Sequence, residues 1–274
     1  MLFAYLVGVC INVSQEMGGN PRIDEMGIAQ DNGAMEGKEI RLGSAATALW
    51  SITTTVTSNG SVNGMHDSTM PLSGMMEMLN MQINTWFGGV GVGWMNYFTF
   101  IIIAVFISGL MVGRTPEFLG KKIEPYEMKW SVLVCLATPI AILVGSGLAA
   151  VVPSVMDSLH NGGAHGFSEM LYAYSSCGGN NGSAFAGFNA NTVFLNVSLG
   201  LMMLFARFLP IIGTLAIAGS LAGKKKIATT AGTLSTTNGM FVFLLIVVVL
   251  LIGALSFFPA LALGPLAEFF GSIA

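Results

Sequence analysis

The sequence predicts an all-α polytopic membrane protein, and three observations support this fold class. Eleven basic and 14 acidic residues make up only 9% of the 274-residue chain, whereas a soluble domain carries about 25%. Hydrophobic residues make up 53% and the mean hydropathy is +0.73, which excludes a disordered chain and leaves too little polar surface for a soluble protein. Charge-free stretches such as 130–156 and 227–267 are long enough to cross a bilayer, which requires about 20 apolar residues.

The composition also excludes several classes of partner and cofactor. A net charge of −3 gives no reason to expect a nucleic-acid partner. Cys10, Cys135 and Cys177 are too few and too scattered for a disulfide framework or a zinc site. We therefore expect a lipid bilayer around the chain, no nucleic acid and no transition metal.

The apolar segments follow one another along the chain. Residues 1–13 are too few to span a membrane and are interpreted as the tail of a helix. A long, interrupted apolar stretch, 72–113, follows. Three further segments, 130–152, 192–222 and 240–263, are expected to cross the membrane.

Basic residues predict the orientation of these segments. Seven of the eleven Lys and Arg residues lie in the loops 114–129 and 223–239. Cytoplasmic loops collect such residues, so both loops are placed inside. Loop 14–41 holds six acidic and three basic residues, which fits the outer face.

Segment 130–152 leaves the inside and segment 192–222 returns there, so the residues between them must begin and end outside. They nevertheless contain a ten-residue apolar segment, 167–176, followed by a Gly/Asn-rich turn at 177–183. Ten helical residues reach about 15 Å, half of the membrane. We predict a re-entrant half-helix whose return limb is this turn, buried in protein or lining a watery cavity.

The same arrangement occurs once earlier in the chain. A short apolar segment, 42–56, precedes Asn-Gly-Ser at 59–61, which lies 122 residues before the Asn-Gly-Ser at 181–183. A single copy is typical of a turn or a glycosylation acceptor. Two copies, each after a half-length apolar segment, indicate an internal repeat, and repeats in transport proteins place the binding site at corresponding positions.

The chemistry of the two turns fits a bare cation. A non-helical return through the bilayer exposes main-chain carbonyl oxygens, which can replace the hydration shell of an ion, as in potassium filters. The C-terminal dipole of each half-helix directs a partial negative charge to the turn. Neither turn contains a charged residue. The alternative is that both are ordinary extracellular turns.

Several blocks of this sequence resemble the KdpA family, the potassium-binding and translocating subunits of bacterial K⁺-transporting P-type ATPases. The blocks are spread over nearly all of the chain and include GLMVGRTPEFLGKK at 109–122, HGFSEMLY at 165–172, NNGSAFAG at 180–187 and PALALGP at 259–265. The resemblance implies the pore-loop repeats of the potassium transporter superfamily, in which four filter segments surround one ion.

The resemblance covers the second half of that pattern. It implies a third-type repeat with a truncated first helix (1–113), a cytoplasmic loop (114–129), a fourth-type repeat (130–222), a second cytoplasmic loop (223–239) and a final helix with an outer tail (240–274). Two repeats cannot enclose an ion. We therefore expect that the chain is a fragment, the product of a split or truncated gene, or one of two copies that assemble.

The resemblance also implies the residues that bind K⁺. They are Thr57, Ser58, Asn59 and Gly60 in the third filter segment (57–61) and Asn180, Asn181 and Gly182 in the fourth (177–183). The third segment usually has Cys where this chain has Asn59, a difference that leaves backbone coordination possible.

Four glycines, Gly88, Gly89, Gly91 and Gly93, interrupt the helix after the first turn. Because each interior glycine costs about 0.5–1 kcal/mol relative to Ala, we expect an unwound hinge. The resemblance implies that this break lies beneath the filter and gates ion exit. The alternative is close helix packing through small residues.

Arg207 is the one charged residue between positions 170 and 223. An intramembrane Arg usually faces a polar interior and is a functional candidate. The resemblance places it near the inner end of the filter, where it would bias affinity or ion release. The alternative is a structural role as a partner of backbone carbonyls.

The resemblance implies K⁺ binding and translocation as the channel-like, non-catalytic subunit of an ATP-driven uptake pump in the cell inner membrane, with the filters facing the periplasm. KdpB, the ATPase subunit, would be the main partner, with KdpC and KdpF. We expect no ATP binding by this chain, since 219–224 departs from the phosphate-loop spacing and Lys225 stands where Ser or Thr belongs. A passive or symport-type K⁺ transporter of the Trk/Ktr kind is the alternative, although the blocks 114–122 and 259–265 favour KdpA.

No arrangement of residues indicates an enzyme. His66 with Asp67, or His160 with His165, would be metal-ligand candidates, but we expect solvated or hydrogen-bonded histidines because no Cys or carboxylate pair adjoins them in the sequence. Cys177 beside the Gly-rich turn suggests the nucleophile of an intramembrane hydrolase, yet no His base is implied next to it.

Overall fold

Helices form nearly all of the regular structure in the described part of the chain, residues 1–227 and 235–273 of a computed structural model. They are α1 (Leu2–Met17), α2 (Pro21–Glu25), α3 (Gly43–Val56), α4 (Pro71–Ile83), α5 (Val92–Val112), α6 (Pro125–Ala149), α7 (Pro153–Met156), α8 (Gly163–Gly179), α9 (Val193–Gly223), α10 (Gly239–Leu261) and α11 (Ala267–Ile273). The strands β1 (Glu117–Phe118) and β2 (Lys121–Lys122) form a small antiparallel hairpin. Residues 228–234, inside the predicted cytoplasmic loop 223–239, and residue 274 lie outside the described residues.

Four helices among the described residues are long and apolar enough to cross a membrane. They are α5, α6, α9 and α10, the last continuing through a π-helical turn at Ala262–Leu266 as far as Ser272. The predicted fold class, an all-α polytopic membrane protein, is confirmed.

Helix α6 begins five residues before the apolar segment 130–152 because its first turn is capped. The side chains and backbone N–H groups of Glu124 and Glu127 form a reciprocal capping box, and Pro125 occupies the first helical position. Both devices stabilise a helix start. Apolar content alone does not show this boundary.

The stretch 72–113 consists of two helices separated by a break. Helix α4 ends at Ile83 because Asn84 adopts the left-handed conformation, with φ of 44°, a conformation that short polar side chains tolerate. A 3₁₀ turn at Gly89–Gly91 follows, and Gly91, with φ of 88°, caps the start of α5. The break therefore depends on backbone conformations that favour Asn and Gly.

Helices α3 and α8 are the two half-length helices, and each ends at a turn. Helix α3 has 14 residues and α8 has 17, so they extend about 21 Å and about 26 Å. Helix α8 is longer than the predicted apolar segment 167–176. Its first turn contains His165, whose ring bonds to carboxylates of two other segments.

Helix α8 lies in the centre of the main hydrophobic core. Tyr172 and Tyr174, both on α8, are completely buried. Helices α4, α6, α9 and α10 contribute to the same core through Met78, Met81, Ile142, Leu195 and Phe257. The turn that follows α8 is therefore held from several sides.

The predicted cytoplasmic loops are joined to each other at the ends of α6 and α9. The Nζ atom of Lys224 lies 2.7 Å from Oε2 of Glu127 and 3.0 Å from Oε2 of Glu124. The backbone N–H of Ile227 donates to the carbonyl of Gly120 at 2.8 Å. Lys224, one of the seven basic residues of these loops, is thus paired with carboxylates.

Two glycines of α6 provide a matched test of the packing around α8. A Cβ atom at Gly145 would lie 2.4 Å from Cδ1 of the buried Tyr174, whereas a Cβ at Gly147 would meet nothing within 4 Å. We expect Gly145→Ala to lower the free energy of unfolding by about 1–3 kcal/mol, the usual cost of overpacking. Gly147→Ala should leave it equal or raise it by up to about 1 kcal/mol. Thermal unfolding of the purified chain in detergent measures both, and an equal loss in both variants would contradict this packing.

Candidate functional site

The two predicted filter turns end their helices with the same hydrogen bond. The backbone N–H of Asn59 donates to the carbonyl of Thr54 at 2.8 Å, and that of Asn181 donates to Ser176 at 2.9 Å. The residue before each Asn is left-handed, with φ of 56° at Ser58 and 54° at Asn180. Each pair of equivalent positions is 122 residues apart, so the repeat visible in the sequence reappears in the backbone.

A second shared bond closes each turn. Oδ1 of Asn59 accepts from the backbone N–H of Ser61 at 2.8 Å, and Oδ1 of Asn181 accepts from that of Ser183 at 2.6 Å. An Asn side chain often stabilises a turn in this way. The Asn-Gly-Ser sequence therefore has a local structural role in both copies.

The two turns contact each other directly. Nδ2 of Asn181 donates to the carbonyl of Asn59 at 2.5 Å. A Cβ atom at Gly60 would lie only 2.8 Å from the carbonyl oxygen of Asn181. The absence of a side chain at Gly60 therefore permits the close approach of the two segments.

Backbone oxygens of both turns are left without hydrogen-bond donors. Within the described ranges 1–227 and 235–273, no N–H or O–H group donates to the carbonyls of Thr57, Ser58, Gly60, Asn180, Asn181 and Gly182. The carbonyl of Asn59 differs, because it accepts from Thr54 Oγ1 at 2.7 Å as well as from Asn181. The turns thus offer neutral oxygen ligands, the kind that can replace water around a bare cation.

The helix break contacts both turns from one side. A Cβ atom at Gly89 would lie 3.1 Å from Cβ of Ser58 in the first turn. Nδ2 of Asn84 donates to the carbonyl of Gly179, at the end of α8, at 3.4 Å. The broken helix therefore packs directly against both turns.

The glycines in this break fold closely onto themselves. A Cβ atom at Gly93 would lie 2.5 Å from Cα of Gly88, and one at Gly88 would lie 2.6 Å from Oδ1 of Asn84. Side chains at these positions would open the break. Asn84 was missed in the sequence, although an Asn at the end of an apolar segment, shortly before a Gly-rich run, is a signal for a left-handed helix end.

Arg207 lies on α9 and reaches the glycine break. Its Nη1 atom is 3.4 Å from the carbonyl oxygen of Gly89, the same residue that adjoins Ser58. Arg207 is therefore separated from the first turn by one backbone segment. This contact fits both the functional role and the structural role considered for it.

His165 forms ion pairs that the sequence does not indicate. His165 lies between two carboxylates, with Nε2 at 2.9 Å from Oδ1 of Asp67 and Nδ1 at 2.9 Å from Oε1 of Glu268. Burial lowers the pKa of His165, but the two carboxylates outweigh burial and raise it to about 10. His165 is hydrogen-bonded, as expected, but its two carboxylate partners could not be seen in the sequence, because Asp67 and Glu268 are distant from it along the chain and meet it only in the fold.

This triad joins three segments of the chain that are distant in sequence. Asp67 follows the first turn, His165 is on α8 and Glu268 is on α11. Glu169 lies close enough for Asp67, His165 and Glu169 to form a possible metal-ligand group. Both ring nitrogens of His165 already face carboxylates, and Glu169 accepts backbone N–H bonds from His160 and Asn161 at 2.9 Å. A structural ion triad accounts for these contacts.

Comparison with known proteins identifies a family. Residues 1–270 match the family model described as KdpA, potassium-transporting ATPase A subunit. A potassium-transporting ATPase potassium-binding subunit of Phocaeicola vulgatus is 70% identical over 98% of this chain and 49% of the relative. Subunits of the same name from Bacteroides thetaiotaomicron and Clostridium botulinum are 67% and 64% identical, over 98% and 95% of this chain.

The chain spans about half the length of the curated relatives it matches. The family match nevertheless extends over nearly all of its own residues. The chain belongs to the KdpA family of potassium-transporting ATPase A subunits.

Proposed function

We propose that this chain binds dehydrated K⁺ through backbone carbonyls of its two turns and passes it across the membrane. The observation that carries the proposal is the pair of turns 122 residues apart, built on the same hydrogen bonds, in contact with each other and free of charged residues. Six of their carbonyl oxygens accept no hydrogen bond within residues 1–227 and 235–273. A neutral oxygen cage suits a monovalent cation that must leave again.

The ends of two helices would strengthen this site. Helix α3 ends at Val56 and helix α8 ends at Gly179, directly before or within the turns. A helix C-terminus carries a partial negative charge of roughly half an electron. Two such ends would attract a cation without a carboxylate, whose stronger field would slow its release.

The remaining ligands would come from outside this sequence. Two filter segments cannot surround an ion, so the first-half repeats or a second copy of this chain would supply the other two. We propose that the assembled subunit works in the cell inner membrane with its filters facing outward. Under this proposal KdpB hydrolyses ATP, KdpC and KdpF complete the pump, and this chain binds no ATP.

The glycine break and Arg207 would control how the ion leaves. The segment containing Gly88, Gly89, Gly91 and Gly93 lies against the first turn, so an ion leaving the filter would meet it. The charge of Arg207, which reaches the carbonyl of Gly89, would disfavour a cation held below the filter. Its repulsion would help release.

Substitution of the filter glycines tests the proposed site. Gly60→Ala places a Cβ atom against the carbonyl of Asn181. Gly182→Ala places a side chain on a residue whose φ is 93°, a backbone conformation that favours glycine. In a full-length subunit assembled with its ATPase partner, we expect each change to raise the half-saturating K⁺ concentration for ATPase stimulation by at least about tenfold, equivalent to about 1.4 kcal/mol.

Gly200→Ala is the matched control, because a Cβ atom there meets nothing within 4 Å. It should leave the K⁺ dependence unchanged. Unchanged K⁺ affinity in both filter variants would show that K⁺ does not bind at the two turns. K⁺ uptake that persists without the ATPase subunit would contradict the pump and favour a passive or symport-type transporter.

Removal of the Arg207 charge tests its proposed role. Arg207→Gln removes a positive charge near the exit from the filter, and two charges about 4 Å apart interact by roughly 1–4 kcal/mol in polar surroundings. We expect the half-saturating K⁺ concentration to fall by about fivefold and the turnover rate to fall as well, because K⁺ leaves more slowly. Arg207→Lys should retain most of the wild-type behaviour. Wild-type kinetics in Arg207→Gln would support a purely structural role.

A further inference from the structure

A buried chain of side chains leads from the outer side of the protein to the filter turns. Nδ1 of His66 lies 2.7 Å from the hydroxyl of Tyr172, which lies 2.7 Å from Oγ of Ser183. Ser183 donates to Oδ1 of Asn181, and Nδ2 of Asn181 donates to the carbonyl of Asn59. None of these residues except Ser183, Asn181 and Asn59 belongs to the turns.

We call this hydrogen-bonded series, from His66 through Tyr172 and Ser183 to Asn181, the relay. Its donors and acceptors can be assigned in only one direction. Nδ2 of Asn181 faces two carbonyl oxygens, those of Asn59 and Thr54, so its Oδ1 must face Ser183. The one hydroxyl hydrogen of Ser183 is then used on Oδ1, and Ser183 must accept from Tyr172. Tyr172 in turn accepts from His66, because a hydroxyl group has a single hydrogen to donate.

The state of His66 agrees with this direction. Burial lowers the pKa of His66 to about 4, so the ring is neutral at physiological pH and carries one N–H. That hydrogen lies on Nδ1, which faces Tyr172 and also lies 3.4 Å from Oε2 of Glu77. Nε2 is buried and has no hydrogen-bond partner among the described residues, which suits an unprotonated nitrogen.

The relay ends on one of the bonds that cross between the two turns; Ser58 Oγ, which donates to the carbonyl of Gly179 at 2.5 Å, makes another. Asn181 belongs to the second turn and Asn59 to the first, so the Asn181 amide contributes directly to the spacing between the two turns. His66 and Tyr172 are 1% and 0% exposed. From Nδ1 of His66 to the carbonyl of Asn59, every donor of the relay faces an acceptor. A buried network paired in this way favours one geometry.

We propose that His66, Tyr172 and Ser183 are positioning residues that set the ion selectivity of the filter. They touch no ion themselves. They hold the Asn181 amide, and through it the spacing between the carbonyls of the two turns. Loss of one member lets the spacing relax, so that the filter no longer separates K⁺ from the slightly larger Rb⁺. The inference rests on the proposed function of the same turns.

Helix α8 offers a closely matched control. Tyr174 is two residues from Tyr172, is equally buried and has its hydroxyl 2.8 Å from Oγ of Ser198 on α9. Tyr174 and Ser198 make no hydrogen bond to the turns within the described residues. Tyr172→Phe and Tyr174→Phe therefore each remove one buried hydroxyl from the same helix, and only the first removes it from the relay.

The experiment compares these variants in a full-length subunit assembled with its ATPase partner. It measures the half-saturating concentrations of K⁺ and Rb⁺ for ATPase stimulation, with thermal unfolding as a check on folding. We expect Tyr172→Phe and Ser183→Ala to reduce the ratio of the Rb⁺ to the K⁺ half-saturating concentration by about tenfold. Tyr174→Phe and Ser198→Ala should leave it within about twofold of wild type, at a similar loss of thermal stability.

The outcomes separate this inference from the proposed function. A wild-type complex without K⁺-dependent stimulation would overturn the proposed function and the relay with it. A second outcome is a wild type that is K⁺-dependent while the Tyr172 and Tyr174 variants have the same ratio of Rb⁺ to K⁺ half-saturating concentrations. That result would overturn the role of the relay and leave the proposed function intact. If Tyr172→Phe fails to fold, Ser183→Ala against Ser198→Ala decides the question by the same ratio.

Discussion

A peptide bond inside a membrane must find partners for its N–H and C=O groups, and this requirement organises the structure. Helices satisfy it internally, which is why nearly all of the regular structure in the described residues is helical. Two turns depart from it, at the ends of α3 and α8, and the protein surrounds them with helices and polar side chains. The N–H groups of the two Asn residues are bonded to Thr54 and Ser176, and those of Ser61 and Ser183 are bonded to the Asn side chains. The oxygens that remain free are the ones available to a cation.

The turns depend on elements that are distant in sequence. Asn84 contacts the end of α8, Gly89 contacts the first turn, and Arg207 of α9 contacts Gly89. Asp67, His165 and Glu268 join the loop after the first turn to α8 and α11. The same small region is therefore held both by the helix break and by an ion triad. A rigid frame of this kind is what a selective filter requires, since selectivity depends on the number and placement of its oxygens.

Sequence patterns predicted the parts of this arrangement that depend on local chemistry. Charge-free segments indicated the long helices, and the 122-residue offset of Asn-Gly-Ser indicated two equivalent turns. The capped start of α6 and the full length of α8 were missed because polar residues there are satisfied by capping or by distant partners. The roles of His66 and Tyr172 could not be predicted, since they are 106 residues apart and meet only in the folded core. Likewise, His165 has no carboxylate pair beside it in the sequence and two in the structure.

The central claim is that backbone oxygens of the two turns, and no carboxylate, hold a dehydrated K⁺ ion. The most direct test is anomalous diffraction at the potassium absorption edge from crystals of the full-length subunit with its ATPase partner, grown in potassium. The account predicts a potassium peak in direct contact with carbonyl oxygens drawn from Thr57, Ser58, Gly60, Asn180, Asn181 and Gly182. A bound potassium ion held by carboxylates, or located away from both turns, would contradict it.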